Sequence, residues 1–103
     1  MDRKMDRKEI FLLTKPLHSQ RTDLCLRLLE RSMNAVLYLA GDGVYNLLEP
    51  SNLKFPSGVM VWACQEDLLA RGIQSVEGAN VPEDFYRRLV EDMASDDSYI
   101  YVF

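Results

Sequence analysis

Four short runs in this chain are apolar at nearly every position: Glu9–Thr14 (EIFLLT), Ala35–Ala40 (AVLYLA), Val59–Ala63 (VMVWA) and Tyr99–Phe103 (YIYVF). A strand with one wet face alternates apolar and polar residues. A continuous apolar run needs cover on both faces, which is the habit of strands inside a mostly parallel sheet. The runs are too short for helices, and Pro16 stops the first of them. This pattern restricts the fold more than any other feature of the chain.

The segments between the runs supply the cover. From Asp23 to Met33, residues Leu24, Cys25, Leu28, Leu29 and Met33 recur at helical spacing, with Asp23, Arg27, Glu30 and Arg31 opposite. Thr22 or Asp23 is placed to cap this helix. Gly41-Asp42-Gly43 closes the second run, Val44–Leu48 reads as a helical turn, and Pro50–Gly58 reads as loop. Gln65–Arg71 is a short helix ended by Gly72. Ser75-Val76-Glu77 fits a short strand. Val81-Pro82-Glu83-Asp84 opens a last helix whose Phe85, Leu89 and Met93 form one stripe, and Asp96-Asp97-Ser98 breaks it.

Strands separated by helices imply right-handed crossovers. The expected fold class is therefore α/β: a three-layer α/β/α sandwich with a mainly parallel sheet of about five strands. In such sheets ligands bind beyond the carboxyl ends of the strands. Lys15–Arg21, Gly41–Tyr45 and Cys64–Asp67 fall there. A length of 103 residues fits one domain over residues 9–103. Residues 1–8 (MDRKMDRK, a tandem repeat) read as an N-terminal extension, expected to be disordered.

Composition then excludes whole classes. A net charge of −4 argues against direct nucleic-acid binding, which needs a basic patch. Two cysteines and one histidine are too few for a disulfide scaffold or a zinc site. No run approaches the roughly 20 residues of a membrane span. The N-terminus lacks the apolar segment of a signal peptide, so a cytoplasmic protein with reduced thiols is expected. Charge is also uneven. Residues 1–65 hold nine basic and seven acidic side chains, whereas residues 66–103 hold three and nine. The acidic half is a solvated face or a docking surface for a basic partner or a charge-matched paralogue.

Two thiols are the main candidates for chemistry. Cys64 ends the third run and precedes a short helix, whose free N–H groups favour thiolate, while Glu66 and Asp67 oppose it. It is also the right size to finish a buried strand. Cys25 lies in the apolar arc of the first helix and reads as core, or as a thiol near the strand ends. Gly41-Asp42-Gly43 is half a phosphate loop, with Asn46 where a dinucleotide fingerprint has its third glycine. A tight turn or close backbone approach is the better reading. His18 has no evident Ser or Asp partner as a general base, and Trp62, Tyr38 and Tyr45 read as core and interface.

Taken in order, these pieces resemble the DsrE/DsrF/DsrH-like sulfur-relay family, and within it the DsrH/TusB-like branch. The resemblance runs from Ile10 to Phe103. It is carried by a short strand with a Lys-Pro loop, a strand ending in GDGVYNLL, and VMVWACQEDLLARGI beside the family's V-Y-A-x-x-E-D-x-x-A-R-G. An acidic aromatic helix (EDFYRRLVEDM) and a hydrophobic C-terminal strand complete it. The resemblance implies a small cytoplasmic α/β protein that forms oligomers and passes persulfide sulfur between cysteines. The pathways it implies are 2-thiolation of the tRNA wobble uridine, or sulfur oxidation.

In the DsrE/TusD branch the sulfur-accepting cysteine precedes an Arg-Gly pair by seven residues, as Cys64 precedes Arg71-Gly72. DsrH proteins carry a cysteine in the first helix, which Cys25 resembles. Each thiol thus matches a family site, but of different branches. The implied function is a persulfide carrier, hence a sulfurtransferase, acting through Cys64 or Cys25 without cofactor or metal. Implied partners are persulfide donor and acceptor proteins and further subunits, in a homo-oligomer or with DsrE/DsrF-like (TusC/TusD-like) chains. The alternative is a non-catalytic structural subunit, with Tyr99, Tyr101, Phe103, Phe85 and Tyr86 as interface anchors.

Overall fold

The computed structural model describes residues 7–48, 55–56, 58–74 and 78–103. The elements run β1 (Lys8–Leu13), α1 (Gln20–Arg31), β2 (Ala35–Leu39), a 3₁₀ helix (Gly41–Leu47), β3 (Met60–Ala63), α2 (Gln65–Ala70), α3 (Phe85–Met93) and β4 (Ser98–Val102). All four apolar runs are strands. They form one sheet of order β3-β2-β1-β4, parallel at every pairing. The expected sheet of about five strands is thus one of four among the described residues. The expected strand at Ser75–Glu77, and most of the expected loop at Pro50–Gly58, lie outside them. β1 begins at Lys8, paired with Ser98, one residue before the expected domain boundary.

Continuous apolarity is explained by the two faces. Phe11, Leu13, Leu37, Leu39, Val61, Ala63 and Phe103 pack on one side with Cys25 and Leu29 of α1 and Val44 and Leu47 of the 3₁₀ helix. Ile10, Val36, Tyr38, Ala40 and Cys64 pack on the other with Phe85 and Leu89 of α3. Each fully buried Leu or Phe contributes roughly 1.5–3 kcal/mol by leaving water. Register aligns these rows: Phe11 sits opposite Leu37 and Tyr101, and Leu37 opposite Val61. Phe11 also stacks on Tyr101 at 4.9 Å between ring centres.

α1 begins at Gln20, three residues before the expected start at Asp23, and its cap is Ser19, not Thr22 or Asp23. The Ser19 hydroxyl accepts the Thr22 peptide N–H at 3.0 Å. Thr22 is buried and donates its own hydroxyl to the Pro16 carbonyl at 2.7 Å, which fixes the chain's entry into the helix. α2 ends at Ala70 and is followed by Gly72 at φ +72°, as expected of a glycine after a helix. Among the described residues no helix is long and apolar enough to cross a membrane.

Candidate functional site

The three segments expected at the carboxyl ends of the strands do meet there. Asp67 accepts the Gly41 peptide N–H at 2.7 Å, joining the turn after β3 to the turn after β2. Asn46 donates to the Lys15 carbonyl at 3.0 Å and to the Gly43 carbonyl at 2.8 Å, joining the turns after β2 and β1. Arg71 pairs with Asp42 at 3.0 Å and Asp67 at 3.6 Å, and its guanidinium lies over the Tyr45 ring. Arg71 thus offsets Asp67, as its position after α2 allows.

This network decides the glycine turn. A phosphate loop needs free N–H groups, but the Gly41 N–H is held by the Asp67 carboxylate and the Gly43 N–H by the Ala40 carbonyl. Gly43 is needed for close approach instead: a Cβ there would fall 2.0 Å from the Leu13 carbonyl oxygen. His18 is exposed at φ +68° in the loop before α1.

The two thiols occupy different settings. Cys25 is 0% exposed among the side chains between α1 and the sheet. Burial pushes its pKa up to about 12, so at neutral pH it is an inert thiol. Cys64 packs on the opposite face with Tyr38, Ala40 and Phe85. The sheet therefore stands between them, and the fold does not bring the two sulfurs together.

Cys64 is the N-cap residue of α2, with extended backbone and no capping bond from its side chain. Its own peptide N–H donates to Leu39, which holds it as a continuation of the β3–β2 pairing. It is 2% exposed and lines a groove of about 270 Å³. The groove's other walls are Gln65 and Glu66 at the start of α2 and Pro82–Arg87 at the start of α3. Burial pushes the Cys64 thiol above the ordinary value. The Asp67 peptide N–H and the Tyr86 hydroxyl, both turned toward the sulfur, pull it down, and the Asp67 carboxylate pushes it up again. Burial is the largest of these influences, so the thiol stays above its ordinary value in spite of the helix start.

Tyr86 is a member of this site that the chain's local pattern does not reveal. It stands 22 positions after Cys64, and only the packing of the first turn of α3 brings it there. Although the residue as a whole is half exposed, partial loss of water around its hydroxyl, followed by the neighbouring Cys64, raises its own pKa to about 12. Of the five aromatic residues expected as interface anchors, Phe85 and Phe103 are core, and Tyr101 packs on Phe11. Only Tyr86 and Tyr99 are exposed. Tyr38 is buried and donates its hydroxyl to Asp92, while Trp62 is covered by the Arg88 guanidinium at 4.5 Å.

A family model described as DsrH like protein matches residues 14–98, which include both cysteines, the glycine turn, α2 and α3. No curated protein is similar enough to the chain to count as its relative. The match covers most of the chain. The chain belongs to the DsrH-like family, and its role lies within sulfur relay in that general sense.

Proposed function

We propose that the chain is a cytoplasmic sulfur-relay protein that carries persulfide sulfur on Cys64 and passes it to a partner's thiol, for tRNA thiolation or sulfur oxidation. The observation that carries this is the place of Cys64. Of the two thiols, it is the one at the carboxyl edge of the sheet, lining an open groove. In the transfer, the Cys64 thiolate attacks the outer sulfur of a donor persulfide. One S–S bond forms as another breaks, the donor leaves as thiolate, and the proton released by Cys64 ends on that donor thiol. No oxidant is needed, and an acceptor thiol repeats the exchange on Cys64.

A second reading has an observation of its own. Cys64 is 2% exposed, which also suits a thiol that only packs. On that reading the chain is a structural subunit of an oligomer, built from its own copies or with DsrE/DsrF-like chains. Maleimide labelling of the native protein separates the two. The carrier reading requires Cys64 to react while the protein is folded and Cys25 to react only in denaturant. Reaction of Cys64 only after denaturation leaves the structural subunit.

A further inference from the structure

The groove that holds Cys64 is lined by charge of mainly one sign. Glu66 stands on the wall formed by α2, and Glu83 and Asp84 on the wall before α3. Asp84 is paired with Arg88 at 3.0 Å, and Arg87, the one cation lining the groove among the described residues, leans to Glu91 at 3.7 Å. Glu66 and Glu83 have no ion pair among the described residues, and both are exposed. Two carboxylates without an ion pair thus line the groove that holds the Cys64 sulfur. Such a rim raises the local concentration of cations and repels anions.

We propose that this groove docks a positively charged protein segment that bears the persulfide or the acceptor thiol, with Glu66 and Glu83 as its electrostatic contacts. The inference rests on Cys64 as the sulfur carrier and names the class of partner that the site accepts. Two further features fit it. Small anionic thiols, which would drain a persulfide without delivering it, are turned away by the same carboxylates. A Lys or Arg brought beside the sulfur also opposes the field of Asp67 and favours the thiolate. The thiol is thus called into reaction by the partner it serves. The transfer is Cys64-SH plus partner-S-SH giving Cys64-S-SH plus partner-SH, so atoms and electrons balance within the pair.

The test uses three small disulfides on the native full-length chain: cationic cystamine, neutral hydroxyethyl disulfide and anionic dithiodiglycolate. The rate of mixed-disulfide formation at Cys64 is followed by peptide mass mapping and divided by each reagent's rate with free cysteine amide. The expected result at low salt is cystamine roughly tenfold ahead of dithiodiglycolate. The ratio falls toward one in high salt and in the Glu66→Gln/Glu83→Gln double variant. Both sites are exposed, and circular dichroism checks that the variant is folded. Reaction with all three reagents at equal relative rates overturns the basic-partner inference and leaves Cys64 as carrier. An undiminished ratio in the double variant overturns the assignment to Glu66 and Glu83. Failure of all three to reach native Cys64 overturns the carrier reading as well.

Discussion

Gly43 and Cys25 are the two residues whose energetics are most sharply defined. At Gly43 the neighbour of a new Cβ would be backbone, the Leu13 carbonyl, which cannot rotate away as a side chain can. Gly43→Ala must therefore push the 3₁₀ helix off β1. It is expected to cost about 3 kcal/mol, the upper end of ordinary overpacking, read as a lower urea midpoint. Cys25 gives a signature in pH. Its folded pKa of about 12 lies above the ordinary thiol value of 9.0. The folded state therefore holds its proton more tightly than the unfolded chain. That contribution is fully present below pH 9.0 and is lost as pH rises from there through about 12. Urea midpoints should fall across this window, and Cys25→Ala should make the fall shallower by the share of this one group. Cys25 was legible as core from its place in the apolar arc. The cover over Cys64 was not, because it comes from Tyr86 and Phe85 on a distant helix.

Among the elements, the strands were read most completely, because a run apolar at every position has few other uses. Helix starts were read less well. Thr22 and Asp23 are good capping residues by type, yet Ser19 caps α1. The reason is that the Thr22 hydroxyl is held by the Pro16 carbonyl and Thr22 itself sits inside the first turn. A serine three positions before a threonine was the available signal. Ser19→Ala removes the acceptor for the Thr22 N–H and should cost about 1 kcal/mol, measured by chemical denaturation. The half phosphate loop illustrates the opposite limit. Glycine spacing alone cannot say that Asp67, 26 positions after Gly41, holds the N–H a phosphate would use.

At the scale of the molecule, the sheet is covered unevenly. α3 lies over the β2 side, with Phe85 against Tyr38, while Ile100 and Val102 of β4 are 42% and 56% exposed. β4 has no strand beyond it among the described residues, so its outer edge offers free backbone groups beside apolar side chains. Such edges pair with other chains unless blunted by charge. Self-association of the isolated chain through β4 is therefore expected in sedimentation. The Ile100→Lys/Val102→Lys double variant should run as a folded monomer. A wild-type chain that stays monomeric at high concentration would contradict this use of the edge.

The division of the molecule into two faces also frames its chemistry. One face hides Cys25 between α1 and the sheet, and the other ends in a groove that contains Cys64. The direct measurement is peptide mass mapping after incubation with a cysteine desulfurase and cysteine. One added sulfur atom is expected on the peptide containing Cys64, removable by a reducing thiol and absent in Cys64→Ser. Added sulfur on Cys25 instead, or on neither cysteine while the desulfurase itself is loaded, would contradict that expectation.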